Sequence, residues 1–109
     1  MSVEVQPRVV AGAPVTVEDA VLELLPEFGS IEVQRDMPGW EHSLHTRPTS
    51  ETLLVVRGSI TFQYGGERRT CTSGHRLLLP SGVAHSSKAG PEGCVYVIAT
   101  HDGCRDEES

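Results

Sequence analysis

From residue 30 onward, hydrophobic and polar positions alternate in short runs broken by glycine and proline. Ile31-Glu32-Val33-Gln34-Arg35 has the period of a half-exposed strand, and Trp40 to His45 forms another after the Pro38-Gly39 turn. Thr52 to Val56 reads as an apolar strand ending at Gly58, and Ser59-Ile60-Thr61-Phe62-Gln63-Tyr64 alternates strictly. Gly65-Gly66 offers both positive-φ positions of a tight hairpin turn, from which Glu67 to Cys71 returns. Gly74 punctuates again, Leu77-Leu78-Leu79 is a buried strand, and Pro80-Ser81-Gly82 turns into a short strand, Val83 to Ser87. Pro91-Glu92-Gly93 reads as a turn before the last strand, Cys94 to Thr100. Upstream, Thr16 is placed to cap a short helix, with Asp19 three residues on and Pro26 as its stop; β-branched Val15, Val17 and Val21 suit a strand nearly as well. Strands this short, with turns about every 8–12 residues, predict an all-β barrel or jelly roll with one short N-terminal helix.

A length of 109 residues makes a single domain, 1–109. Its core is expected at about 28–101, with an N-terminal arm at 1–15 and a flexible tail at 102–109. Hydrophobic residues at 38% and charged residues at 22% exclude wholesale disorder. No apolar run approaches the roughly 20 residues of a membrane-crossing helix. The net charge of −6 argues against nucleic acid as a partner, since backbone binding needs cations to replace counterions. The opening MSVEVQPRVV has no basic region followed by an apolar one, which predicts a cytoplasmic protein. Cys71, Cys94 and Cys104 are odd in number and form no C-x-x-C pair, consistent with reduced thiols.

The histidines carry the chemical signal. Gly39 is followed after five residues by His45, then Arg47 at the next position but one, Glu51 after three more and Gly58 after six. Gly74 is followed after five residues by Pro80, then Gly82, and His85 after two more. This resembles the cupin family, whose two motifs are G-x5-H-x-H-x3/4-E-x6-G and G-x5-P-x-G-x2-H-x3-N. The resemblance spans Gly39 to Ala89, about half the chain. It implies a cupin-type double-stranded β-helix, a jelly-roll barrel with a central pocket, without fixing a function.

On a strand, residues i and i+2 share a face, so His45 and Arg47 point together into the barrel if either does. Glu51 opens the next strand and His85 arrives from another. Two imidazoles and a carboxylate form a set that suits a divalent transition metal such as Fe, Mn, Ni or Zn, with open positions for substrate. Two positions depart from the motifs. Arg47 replaces the second histidine, and a guanidinium has no lone pair to coordinate with. Ala89 stands where an asparagine often ends the second motif. Arg47 therefore either holds the carboxylate or phosphate of an anionic small molecule beside a metal, or pairs with Glu51 in a metal-free pocket.

Other residues are read more plainly. His42 lies three residues before His45 and is sent to the opposite face unless a bulge intervenes. His75 and His101 are expected at the surface, and Trp40 in packing. Leu53 and Val55 should line an apolar pocket wall, and Ile60, Phe62 and Tyr64 should face core. Two function classes follow: a metal-dependent enzyme on a sugar acid or similar oxygen-rich small molecule, and a non-catalytic binding or sensing module without tightly held metal. A homodimer is expected, with the Val3 to Val10 arm as a candidate shared edge.

Overall fold

The computed structural model describes residues 7–25 and 30–100. His101, Cys104, the tail at 102–109 and the start of the N-terminal arm lie outside the described residues. The elements in chain order are β1 (Arg8–Val10), α1 (Val17–Leu24), β2 (Ser30–Asp36), β3 (Glu41–His45), β4 (Glu51–Tyr64), β5 (Glu67–Thr72), β6 (Arg76–Leu79) and β7 (His85–Thr100).

The helix reading prevails for α1. Thr16 Oγ1 accepts a hydrogen bond from the Asp19 amide at 3.1 Å, and Glu18 and Asp19 sit in the first turn, where the helix dipole favours negative charge. Val17, Ala20, Val21 and Leu24 recur at the spacing of one helical face. That face packs on Leu54, Val56, Val97 and Ala99, on the outer side of the sheet. Burial of this stripe outweighs the β-branched preference of two valines.

Two strands are much longer than their sequence suggests. Gly58 does not end a strand, and Pro91-Glu92-Gly93 does not interrupt one: β4 and β7 run 14 and 16 residues and pair antiparallel from Glu51↔Thr100 to Gln63↔Ser86. Both glycines are corners instead. Register shifts fall between Val55 and Arg57 and between Gly58 and Ile60, so the ladder bends there. Gly58 has φ +81°, and a Cβ on it would lie 2.1 Å from the Gly93 carbonyl oxygen. Gly93 has φ +80°, and a Cβ there would lie 2.7 Å from the Asp36 oxygen. Only glycine allows the backbones this approach with this dihedral.

The bend splits the ladder into two layers. The first half of β4, all of β6, the second half of β7, β2 and edge strand β1 form one layer. The second half of β4, β5, the first half of β7 and β3 form the other. Between them lies the larger core, including Leu53, Val55, Ile60, Phe62, Tyr64, Leu77, Cys94 and Tyr96. This is the expected jelly roll. Val55 and Ile60 face the same core despite their odd spacing because β4 carries one extra residue in the shift between Val55 and Arg57. Arg8–Val10 pairs with β6 of its own chain. None of the described helices is long and apolar enough to cross a membrane.

Candidate functional site

Glu51 and His85 stand near opposite ends of the β4–β7 ladder. Laid straight, a dozen paired residues would separate them by about 40 Å. Folded at the glycine corner, the ladder instead brings both to the wall of one cavity of about 80 Å³. Hydrogen bonds lock the two motif loops together at this end. The Gly82 amide donates to the Arg47 carbonyl at 3.0 Å, and the Ser81 amide donates to Ser50 Oγ at 3.1 Å. The cavity is lined by His45, Arg47, Glu51 and His85 together with His42, Gln34, Ser87, Tyr96 and the apolar Leu53, Phe62, Leu79 and Ile98.

All four residues singled out from the sequence therefore reach one place. His45 and His85 are cross-strand partners, with ring centroids 4.5 Å apart. His45 Nδ1 donates to the Ser43 carbonyl at 2.7 Å, and His85 Nδ1 donates to the Val83 carbonyl at 3.1 Å. A carbonyl only accepts, so each Nδ1 bears the hydrogen and each neutral ring keeps its lone pair on Nε2. Burial pushes the His85 pKa down; the bond to Val83 opposes this, and neighbouring His45 adds to it. Arg47 Nε lies 3.8 Å from Glu51 Oε2, an ion pair longer than a hydrogen bond, with the guanidinium 55% exposed and the carboxylate largely covered. Arg47 thus sits at the rim, with donors to spare.

Could these residues hold a metal ion? The two Nε2 lone pairs suit one. As placed, however, no three His, Cys, Asp or Glu side chains among the described residues converge on an ion. The Glu51 carboxylate is turned to Arg47. The arrangement offers two ring nitrogens that accept whenever the rings are neutral, one carboxylate facing an arginine and one cation at the mouth.

His42 corrects the sequence reading. It pairs with Ser87 as His45 pairs with His85, so three residues of β3 span two of β7. The extra residue is a bulge, and it returns His42 to the face of His45. Its Nε2 donates to Asp36 Oδ2 at 3.0 Å, and the buried Tyr96 hydroxyl donates to the same oxygen at 3.0 Å. Asp36 and Gln34 were not foreseen. On β2 the apolar residues face outward, Ile31 under the helix and Val33 exposed, while Gln34 and Asp36 point inward beside Tyr96 and Cys94. The interior is polar at this end, which inverts the usual meaning of alternation.

Smaller corrections follow. Trp40 is 55% exposed rather than packed. Leu53 lines the cavity, but Val55 lies deeper in the core. Phe62 is both core and cavity wall, while Ile60 and Tyr64 are core. Ala89 is buried in the core. Half-buried His75 serves its turn by accepting the Thr72 amide at 2.9 Å. Cys71 and Cys94 are buried free thiols whose pKa burial raises to about 11 and about 12, which makes both poor nucleophiles.

Comparison with known proteins agrees with this architecture. The family described as AraC-like ligand binding domain matches residues 28–101. No curated protein matches the chain. Among solved structures, an RmlC-like cupin from Shewanella frigidimarina superposes with a TM-score of 0.61 at 21% identity, covering 71% of this chain and 68% of that one. A protein of unknown function from Rhizobium leguminosarum gives 0.63 at 17% identity, covering 90% and 83%. The DMSP lyase DddQ from Ruegeria pomeroyi gives 0.62 at 19% identity, covering 67% of this chain but 38% of its own. At such identities the likeness is one of fold. The jelly roll, the two motifs and the match over residues 28–101 together place the chain in the family of AraC-like ligand-binding domains, as a small cupin.

Proposed function

We propose that this chain is a binding module for a small, oxygen-rich organic anion, with Arg47 taking the carboxylate. The observation that supports this most is the mismatch of polar groups around the cavity. His45 and His85 offer acceptor nitrogens, whereas Arg47 offers guanidinium donors held, among the described residues, only by a 3.8 Å ion pair. An anion that also carries hydroxyl donors satisfies both kinds of group. The cavity has the volume of about two to three liquid waters, so it accepts a head group of a few heavy atoms. Calorimetric titration with glycolate and with its uncharged amide tests the assignment. Glycolate should bind and the amide should not, and Arg47→Gln should abolish the difference. Equal binding of both, or indifference to Arg47→Gln, overturns it.

A second reading is supported by the orientation of the two imidazoles. With both Nδ1 atoms committed to carbonyls, the Nε2 atoms of His45 and His85 are the ones left to an ion, and Glu51 would join them on release from Arg47. A bound Mn, Fe, Ni or Zn ion would supply Lewis-acid chemistry for an enzyme acting on the same class of anion. Protein purified without chelators should then hold near-stoichiometric metal that disappears in His45→Ala or His85→Ala. A sharp rise in metal content in Arg47→His would mean that the arginine suppresses coordination. No metal under any reconstitution removes this reading. We further propose a homodimer, supported by the open β1 edge and by exposed Trp40, Met37 and Leu44; a monomer on gel filtration overturns it.

A further inference from the structure

The Asp36 carboxylate is almost fully covered, at 4% side-chain exposure, and belongs to neither motif. Two donors converge on its Oδ2, the Tyr96 hydroxyl from the neighbouring strand and His42 Nε2 from the bulged one. Burying a carboxylate is costly unless donors are provided, and here the fold provides both from the cavity wall. The bulge between His42 and His45 is the local device that makes this possible. Without its extra residue, the His42 ring would project from the other face of β3.

A carboxylate accepts hydrogen bonds and donates none, so Asp36 fixes the hydrogen of His42 on Nε2. The neutral ring then carries its lone pair on Nδ1, which has no hydrogen-bond partner among the described residues. The result is opposite in tautomer to His45 and His85, whose Nδ1 atoms bear the hydrogen. It is the same in kind: a third imidazole whose acceptor nitrogen has no partner among the described residues, on a ring that lines both this cavity and the larger groove of about 780 Å³ beside it.

We infer that His42, positioned by Asp36 and Tyr96, is a specificity residue that accepts a hydrogen bond from a ligand hydroxyl, so that the cavity selects a hydroxy acid over the corresponding deoxy acid. This deepens the anion-binding reading and rests on it. Arg47 recognises the charge, and His42, rather than His45 or His85, takes the hydroxyl next to the carboxylate, leaving those two rings for further hydroxyls of a larger ligand. The 39% side-chain exposure of His42 puts it within reach of an entering ligand.

The test compares glycolate with acetate, which differ by the one hydroxyl, on the full-length chain. Wild type should prefer glycolate roughly fivefold, the worth of one neutral hydrogen bond. His42→Leu should bring the ratio close to one, and Asp36→Ala should do the same through loss of positioning. Arg47→Gln should weaken both acids while leaving the ratio. Nitrogen-15 chemical shifts of the imidazoles supply a readout that needs no ligand: His42 should carry its hydrogen on Nε2 in the wild type and redistribute it in Asp36→Ala. Arg47-dependent binding without a glycolate preference, or a preference that survives His42→Leu, overturns the inference and leaves the anion site standing. An Nδ1–H tautomer for His42 in the wild type does the same. Failure of both acids to bind overturns both readings.

Discussion

The same two strands build both the glycine corner and the cavity, and they do so with opposite kinds of information. At the corner, the backbone decides. Gly58 and Gly93 sit where an added Cβ would strike a backbone carbonyl oxygen. At the cavity, the backbone is ordinary apart from one bulge, and the side chains of His42, His45, Arg47, Glu51 and His85 set what the site can hold. The corner makes the cavity possible by folding one ladder over, yet it contributes nothing to recognition. Substitutions should therefore separate cleanly: the corner should report on folding, and the cavity rim on binding.

The largest effect is expected at Gly58. Gly58→Ala forces a left-handed dihedral on an L residue and places its Cβ 2.1 Å from the Gly93 oxygen, so a loss of about 3–5 kcal/mol is expected in urea unfolding. Gly65→Ala shares the positive φ, at +55°, but meets nothing within 4 Å, and should cost about 1 kcal/mol. Equal losses at the two positions would mean that the close approach at the corner is not what Gly58 serves.

This contrast also explains what was legible in the sequence. The fold class was readable from the short alternating runs and their turns, whereas His45, Glu51 and His85 stood out through the resemblance to the two cupin motifs, and the structure brings all three to one cavity wall. The continuity of β4 and β7 was not readable, because glycine marks a corner within a ladder and a turn between ladders in the same way. Gly65 and Gly66 make the expected hairpin, whereas Gly58 and Gly93 make the bend. His42 was hidden by parity, since a bulge leaves no signature in residue type and appears only when strand partners are known. Asp36 and Gln34 were hidden for a different reason: alternation tells two faces apart but does not say which one is inside a polar cavity.

Next in size is Asp36, which lies where corner and cavity touch, since its carbonyl oxygen faces Gly93 and its carboxylate faces the site. Asp36→Ala strips the buried Tyr96 hydroxyl of its acceptor and should cost about 1–3 kcal/mol in thermal or urea unfolding. Tyr96→Phe removes donor and need together and should cost less. If Asp36→Ala leaves stability unchanged, the carboxylate serves the cavity alone and the boundary drawn here moves.

A smaller effect is expected from pH. Burial lowers the His85 pKa in the folded chain below its ordinary value near 6.5. Above pH 6.5 the ring is neutral whether folded or not, and its contribution is fully present. As pH falls below 6.5 the unfolded ring takes a proton that the folded ring resists, so the unfolded state gains and stability declines down to the folded value. His85→Gln should flatten that part of the stability profile. A wild-type profile whose slope just below pH 6.5 is unchanged by the substitution would show that His85 is not held neutral by the cavity wall.

The smallest structural effect is expected where the proposed binding effect is largest. Arg47 is more than half exposed, its ion pair to Glu51 is 3.8 Å long, and its backbone carbonyl, not its side chain, ties the two motif loops together through Gly82. Arg47→Gln keeps that backbone bond, so the unfolding free energy should change by about 0–1 kcal/mol. Glu51, largely covered, loses its counter-charge, which sets the upper end of that range. A destabilisation as large as that of Gly58→Ala would mean the guanidinium is a structural brace for the loops, and the division between a corner that folds and a rim that binds would fail at its most exposed residue.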